Sequence, residues 1–554
     1  MSRLRSFFFV LMLGCLTTVA AQEAMTVPEF ETEPESESVD TNWVYLLNAD
    51  VIRFEEWVNP DAQRLIGNVV FRHDSMYMYC DSALFYQDRN SFDAYHNVRI
   101  EQGDTLFLYG DSLFYDGNTK LLRVRDNVRL ENKTMILLTD RLNYDRNTGL
   151  GWFFNGGTLL DEESTLISQY GQFDTNTKMA VFMDGVSLES PDYTLTSDTL
   201  HYNTDSHTAF LYCPATIVNE DNVINTSHGR FNTDNKSAVL LDRSVVEQND
   251  GETRMTGDSI LYDSDAGLME GFGNVVINNY KDKIDAHGEY VYYNRENDSA
   301  VITGRALLIE YSAGDSMFIH ADTFRLVTFY NAAHDTVVER QMRGFYKVRA
   351  YRIDMQMVAD SMMFTTKDSS LTLFKDPILW TEDSQVLGEK IIFYFNDSTI
   401  EWAHVIGQAL FIQDNDSIHY NQIAGREMKA FFKGGEIDYA DVNGNVQAVF
   451  YPLDADSAMI GMNTTEGSSL RAYFKMRTVN KTVMFGHSNG VMYPMEKLEE
   501  KKMYLPNFNW FARIRPIDAE DVFYWRGKRA EEQLEKNGSN KEVPLPTLKG
   551  RKKK

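Results

Sequence analysis

A phrase of about thirty residues recurs along the chain and restricts the fold more than any other feature. Each copy holds an acidic residue followed four positions later by an aromatic one, as in YGDSLFYD, where Asp111 precedes Tyr115. The acidic position falls at 50, 81, 111, 140, 169, 198, 227, 258 and 289, and then less evenly at 322, 360, 389, 427 and 469. Eleven of these fourteen positions are acidic, and thirteen are followed by an aromatic residue. A unit this short cannot bury its own apolar face, so its copies have to stack.

A second phrase, Asn-Val, lies between the acidic positions, as at Asn127-Val128. Apolar and polar residues alternate around both phrases, which is typical of half-buried strands, and Gly/Asn/Asp clusters supply turns. The pattern predicts that Asn-Val begins one strand and that the acid is a strand-end or turn residue satisfying nearby backbone N–H groups. The sequence therefore predicts an all-β chain: an elongated repeat β-jellyroll, or β-solenoid-like rod, of two facing sheets with a short C-terminal helical cap.

The two ends of the chain differ from the repeats. Residues 1–21 have two arginines, an apolar run and a small-residue cleavage site near Ala21, which indicates a signal peptide and a periplasmic, exported protein. Lipid modification at Cys15 is the disfavoured alternative, because Met12 and Leu13 fit a lipidation box poorly. Residues 22–42 form an acidic disordered linker, 43–320 a regular repeat domain, 321–490 an irregular continuation, and 491–554 a cap helix with a basic tail. The helix is expected over 518–537, capped by Asp518 and covering the last strand edge.

Charge and cysteine content exclude some partners. The formal net charge is -27, which is unsuited to nucleic acid because phosphate binding needs a basic footprint. Cys80 and Cys213 remain after signal cleavage, but more than four stacked repeats separate them. A disulfide needs Cα atoms within about 7 Å, so we expect two free thiols.

The sequence predicts no catalytic, cofactor or metal site. An acid that recurs in every copy indicates structure rather than a single active site. GHSNG has the form of a nucleophile elbow around Ser488, but strands flank it on both sides where the chemistry needs a strand-to-helix turn. A turn is the favoured interpretation.

The inward stripe of the repeats is the candidate binding surface. Its residues are aliphatic and aromatic, and they form either a closed core or, if the sheets do not close, a groove for acyl chains. The candidate groove residues are Val69, Phe71, Leu113, Tyr115, Val128, Leu130, Leu142, Tyr144, Leu200, Tyr202, Ile260, Tyr262, Val275 and Ile277.

The repeated phrases GNVVF…YCDSALFY, DNVRL…LTDRLNYD and GNVVI…AHGEYVYY resemble those of the OstA/LptA-like family of lipopolysaccharide-transport and organic-solvent-tolerance proteins. The resemblance runs closely over 48–293 and more loosely to 473. It implies a V-shaped β-jellyroll that shields the acyl chains of lipopolysaccharide or lipid A and bridges the inner and outer membranes. It also implies inner- and outer-membrane transport partners and end-to-end self-association through open sheet edges. The chain is much longer than a minimal bridging member of that family.

Two other functions stay open at this point. A structural or adhesive envelope protein with a closed core predicts that no lipid co-purifies. An exported β-helix enzyme acting on polysaccharide predicts one cluster of charged residues that interrupts the repeat, for example within 322–360.

Overall fold

The computed structural model describes residues 42–54, 57, 60–103, 106–132, 135–161, 163–248, 251–312, 314–334, 336–396, 399–454, 456–475 and 478–529. Its 38 strands form one sheet in which the strand pairs are antiparallel. The predicted signal peptide, Cys15, nearly all of the acidic linker and the basic tail lie outside the described residues. In the described part of the chain, no helix is long and apolar enough to cross a membrane.

The first twelve strands are β1 Tyr45–Asn48, β2 Val51–Phe54, β3 Gln63–His73, β4 Met76–Tyr86, β5 Ser91–Gln102, β6 Leu106–Asp116, β7 Leu121–Asn132, β8 Met135–Asp145, β9 Leu150–Asp161, β10 Ser164–Asp174, β11 Met179–Ser190 and β12 Tyr193–Asn203. The next fourteen are β13 Thr208–Leu211, β14 Ala215–Asn219, β15 Asn222–Thr226, β16 His228–Asn232, β17 Ser237–Leu241, β18 Val245–Gln248, β19 Thr253–Thr256, β20 Ser259–Asp263, β21 Leu268–Asn279, β22 Ile284–Asn294, β23 Ser299–Thr303, β24 Leu307–Glu310, β25 Met317–His320 and β26 Thr323–Tyr330. The last twelve are β27 Val337–Arg352, β28 Met355–Thr365, β29 Ser370–Phe374, β30 Ile378–Thr381, β31 Ser384–Leu387, β32 Lys390–Asn396, β33 Thr399–Asp414, β34 Tyr420–Lys433, β35 Glu436–Phe450, β36 Met462–Lys475, β37 Thr478–Phe485 and β38 Asn489–Tyr493. One short α-helix, α1 Glu500–Met503, and 3₁₀ turns at Gln87–Arg89, Met495–Lys497, Ala512–Ile514 and Asp521–Phe523 complete the elements.

The long strands bend in the middle, at the repeated acid. On β5, His96 and Asn97 both face the single residue Asp111 of β6, so the pair carries a β-bulge. Both bulge residues have left-handed backbone, with φ of 65° and 50°. The bulge divides each strand into two halves, which form wall A (for example 112–116, 121–125 and 141–145) and wall B (106–110, 128–132 and 135–139).

The two repeated phrases bind each other at this bend. The Asn of one strand donates its side-chain N–H to the acid of the strand before it: Asn97 to Asp81 at 2.7 Å and Asn127 to Asp111 at 2.6 Å. At Gly67 a Cβ would lie 2.4 Å from Asp50 Oδ2, and φ is +79°, so only glycine fits. The acid is therefore structural, as predicted. In long strands such as β4, β6 and β8 it lies at a mid-strand bend, as does Asn-Val, so the prediction that Asn-Val begins a strand is wrong. The acid lies at a strand end, as predicted, where the bend interrupts the strand, at Asp50, Asp258, Asp322 and Glu389.

The two walls face each other across one continuous apolar core. Phe71 of wall B stacks on Phe92 of wall A with ring centroids 4.0 Å apart, and β3 and β5 are not paired strands. The all-β, repeat-based fold of two facing layers is thus confirmed. Its layers are halves of the same bent strands rather than separate sheets.

The aromatic of each repeat belongs to one row that crosses wall A near its rim of turns. Along this row, aromatic residues alternate with small ones on neighbouring strands: Tyr144, Gly151, Phe173, Ala180, Tyr202, Ala209, Phe231, Ala238 and Tyr262. A ring beside a small residue has space to lean over it. In this part of the row, each repeat of about thirty residues therefore contributes one aromatic and one small residue.

The C-terminal segment, residues 494–529, crosses the outer face of wall B. Gln385 brackets its backbone, donating to Asn509 O at 2.8 Å and accepting from Phe511 N at 2.9 Å. Gln422 does the same with Met503 O and Leu505 N. Farther on, the buried Arg349 donates to Ile514 O and pairs with Asp521.

Short helical elements are present at the C-terminus, as predicted, but two details of the prediction are wrong. Over 518–528 there is a 3₁₀ turn, Asp521–Phe523, instead of the predicted α-helix; residue 529 is helical, and 530–537 lie outside the described residues. The segment covers a face of the sheet rather than its last strand edge, since β38 stays largely exposed. The charged residues that favoured a helix form ion pairs instead: Arg526 with Asp521, Lys528 with Asp360, and Arg529 with Asp376.

Both cysteines and the GHSNG sequence behave as predicted. Cys80 is a buried free thiol of β4, and Cys213 is a free thiol in the connection between β13 and β14. Ser488 lies in the turn between strands β37 and β38, which is the strand-turn-strand context that excludes a nucleophile elbow.

Candidate functional site

The walls separate in the first half of the sheet and leave a narrow apolar cavity of about 80 Å³ between them. Strands β6 to β11 supply nearly all of its lining. The lining residues are Leu106, Leu108, Leu130, Asn132, Met135, Leu137, Leu142, Tyr144, Gly151, Trp152, Phe153, Leu159, Gly171, Gln172, Phe173, Thr175, Ala180, Phe182 and Thr204. With so few polar groups, the cavity offers water almost no hydrogen bonds and favours an apolar ligand.

The cavity exists because Gly151 lies where the row of wall A would place a side chain. Its neighbours in the row are Tyr144 and Phe173, and the equivalent position two strands earlier is Leu122. Tyr144 and Phe173 are only partly buried, as are Leu130, Leu137 and Leu159 of wall B. The inward stripe is therefore open to solvent here, whereas elsewhere in the first repeats it is sealed.

A buried polar cluster joins the two walls on the N-terminal side of the cavity. His73 of wall B and Tyr115 of wall A are joined by a 2.6 Å hydrogen bond. Beside them, Asp74 accepts from Lys120 at 2.9 Å and lies 3.6 Å from Arg146. Burial raises the pKa of Tyr115 to about 12. Burial opposes ionisation of Asp74 as well, but the Lys120 hydrogen bond and the nearby charges prevail and lower its pKa.

Other contacts close the walls beyond β11. Lys236 of the wall A rim pairs with Asp192 of the wall B rim at 2.6 Å. The rings of Tyr193 and Phe231 meet edge to face, with centroids 4.9 Å apart. The apolar space is therefore a bounded compartment in this part of the chain rather than a groove along the whole rod.

The rim of wall A beside the cavity is a hydrogen-bonded ladder of turns. Arg146 N donates to Lys120 O, Thr175 N to Gly149 O, and Thr204 N to Lys178 O, at 3.0 to 3.2 Å. Asparagine side chains repeat the pattern, as Asn176 Nδ2 donates to Thr148 O at 2.8 Å. Hydrogen bonds from each turn to the next therefore hold this rim in place, independently of the apolar contacts between the walls.

All fourteen predicted groove residues lie on the inner faces of the walls, but the structure brings only three to the cavity. Leu130, Leu142 and Tyr144 line it. Ile277 is partly buried against the core at another place. Ten are buried core residues: Val69, Phe71, Leu113, Tyr115, Val128, Leu200, Tyr202, Ile260, Tyr262 and Val275. Whether any of them contacts lipid stays a prediction.

Sequence reasoning missed most of the lining. Met135, Leu137 and Leu159 follow the same alternation as the predicted residues and were detectable by it. Gly151 was not, since its role depends on the cross-strand register that places it between two rings. In the described residues, no group of three or more His, Cys, Asp or Glu side chains is placed to hold a metal ion.

The chain was compared with known proteins. Residues 41–198 match the family model described as OstA-like protein. No curated protein matches the chain at a significant level. The matched region runs from the start of the sheet into β12 and contains every cavity-lining residue except Thr204.

Proposed function

We propose, since residues 41–198 belong to the OstA-like family, that the chain is an exported, non-catalytic carrier that shields acyl chains of lipopolysaccharide or lipid A. The observation that carries the proposal is the apolar cavity between the walls, which opens at the rims. A flexible acyl chain suits a narrow compartment lined by Leu, Met and aromatic side chains. Each CH₂ removed from water contributes about 0.8 kcal/mol, so even part of one chain stabilises the complex measurably.

The same proposal places the protein between the two membranes, with transport components at its ends. Within the described residues, the strand at each end of the sheet pairs on one side only and exposes apolar side chains: Ile52 and Phe54 at the N-terminal edge, Val491 and Met492 at the C-terminal edge. Open edges accept further strands by main-chain hydrogen bonding. Such edges fit membrane-anchored partners or other copies of this chain.

Filling the cavity tests the proposal. In Gly151→Leu the new side chain enters the cavity, and its Cβ meets Tyr144 at an ordinary 3.4 Å. We expect the variant to fold and to lose most bound lipid, measured by mass spectrometry of lipopolysaccharide or lipid A retained by the purified protein.

Thr158→Leu is the matched control. It adds the same side chain to the same strand, but on the outer face between the exposed Leu138 and Ile167. It should bind lipid like the wild type. A folded Gly151→Leu protein that retains lipid at the wild-type level would contradict the proposal.

A further inference from the structure

The polar cluster at the N-terminal end of the cavity has unbalanced charge. Lys120 and Arg146 both direct their cationic groups at one carboxylate, Asp74. The other members, His73 and Tyr115, carry no negative charge at neutral pH. With a neutral imidazole the cluster therefore keeps one excess positive charge, in a chain whose net charge is -27.

Arg146 is the most deeply placed cation of the cluster. Its side chain is 8% exposed. Nη1 lies 3.4 Å from the Tyr115 hydroxyl and Nη2 lies 3.6 Å from Asp74, while Nε is buried without a hydrogen-bond partner. A buried N–H of a charged group without an acceptor is costly, and native proteins seldom retain one without a role.

A second unsatisfied atom belongs to the opposite wall. Gln102 Oε1 is buried without a partner, and Gln102 pairs directly with Leu106, which lines the cavity. The His73–Tyr115 bond joins β3 of wall B to β6 of wall A. If the same offset of three strands holds one pair of strands along, Gln102 on β5 faces the end of β8, which leads directly into Arg146. Both unsatisfied atoms lie on the N-terminal side of the cavity, next to its lining residues Leu106 and Tyr144.

We infer that this end of the cavity is a headgroup site for a lipid bearing a phosphate and a hydroxyl. The inference rests on the proposed acyl-chain function and extends it from the chains to the polar group. Phosphate oxygens accept from the Arg146 guanidinium, whose fork of N–H groups matches their geometry. Lys120 supplies a second cation, and a hydroxyl of the headgroup donates to Gln102 Oε1.

Two further acids lie beside the cluster and offset part of its positive charge, but hydrogen bonds hold them within their own turns. Asp116 and Asp145 begin the two turns that carry Lys120 and Arg146. Each accepts a backbone N–H of its own turn: Asp116 from Asn118 at 3.0 Å and Asp145 from Asn147 at 2.8 Å. Asp74 is the acid that shares the cations, and an arriving phosphate would compete with it for Lys120 and Arg146.

Two lipids with the same acyl chains test the inference. Dioleoyl phosphatidic acid carries a phosphate ester where dioleoylglycerol carries a free hydroxyl, so the ratio of their affinities compares the phosphate contact at Arg146 and Lys120 with the hydroxyl contact at Gln102. Native mass spectrometry of the full mature chain, titrated with each lipid in detergent, gives the two dissociation constants. We expect phosphatidic acid to bind about tenfold tighter or more, since a charge-assisted hydrogen bond in a buried site is worth at least that factor.

Variants assign the preference to the cluster. Arg146→Gln should remove most of it, Lys120→Gln part of it, and Arg146→Lys should restore some. Arg123→Gln, on the exposed outer face of β7, should leave it unchanged. If Arg146→Gln does not fold, the wild-type affinities for the two lipids and the effect of Lys120→Gln still decide whether the headgroup site exists.

The outcomes separate two failures. Equal wild-type affinities for the two lipids would overturn the headgroup site and leave the acyl-chain proposal standing. A preference that survives both the Arg146 and the Lys120 substitutions would also overturn it, since the phosphate would then be held elsewhere. Binding of neither lipid would count against the proposed function itself and remove the basis of the inference.

Discussion

The outer face of wall B is exposed in the first half of the molecule and buried in the second. In the first half, Leu138 and Ile167 point outward from wall B and are 40% and 42% exposed. In the second half, Val358, Trp380 and Ile412 point outward from the same wall and are fully buried beneath the C-terminal segment. The inner faces differ in the opposite sense: in the first half they separate to leave the apolar cavity, whereas in the second half inner-face residues such as Val348 and Ala350 are fully buried.

One repeat therefore supports two kinds of structure. In the first half the bent strands have one covered face, and the missing side chain at Gly151 leaves room between the walls. In the second half wall B is packed on both sides, like the middle layer of a three-layer domain. A layer held on both faces resists separation from its partner wall. The second half is thus the solid part of the molecule, and the first half is the part able to take a ligand.

The largest expected effect comes from removing the centre of the outer core. Trp380 is 0% exposed, and its Nε1 donates to Gln385 at 3.0 Å. Trp380→Ala should destabilise the second half by about 3–5 kcal/mol through cavity creation, read as a lower midpoint in denaturant unfolding. Lipid retention in the native state should not change, because the cavity is far along the sheet. A parallel loss of lipid would show that the two halves are not independent.

The strand repeat and its aromatic stripe were predictable from the sequence, because the pattern is local and recurs in every copy. The bend was not, although Asn127 and Asp111 both stood out. Taken alone, each phrase is typical of an ordinary turn or strand. Only the cross-strand hydrogen bond between the two phrases shows that the strands bend there. The burial of the outer face of wall B beneath the C-terminal segment could not be predicted from the sequence either. Gln385 and Phe511 are 126 positions apart, and no local sequence pattern predicts that contact.

The bracket formed by Gln385 should have the next largest effect. Gln385→Met keeps the size of the side chain but removes its hydrogen bonds to Asn509 O, Phe511 N and Trp380 Nε1. We expect a loss of about 1–3 kcal/mol and faster hydrogen exchange at Phe511. The control is Gln447→Met, on the outer face of β35, where the side chain bonds only to the exposed Glu466. Equal effects of the two substitutions would mean that the C-terminal segment is not held by the bracket.

The smallest effect concerns closure of the first half and depends on pH. Because the pKa of Asp74 lies below its ordinary value of 3.8, ionised Asp74 stabilises the folded state. That contribution is complete above the unfolded pKa and is lost as the pH falls through the lowered folded value. Wild type should therefore exceed Asp74→Asn in stability by up to about 1 kcal/mol near pH 6, and the difference should shrink as the pH falls below 3.8.

The measurement is the unfolding midpoint of both proteins between pH 2.5 and 6. Asp61→Asn is the matched control, since Asp61 pairs with Arg89 at 2.7 Å but both side chains are more than half exposed. Its difference from wild type should be near zero throughout, because exposed pairs are screened by solvent. If Asp74→Asn showed the same flat profile, the walls would be held together at this end by the His73–Tyr115 bond and the stacked rings of Phe71 and Phe92 alone, and the ion pairs would leave the first half's stability unchanged.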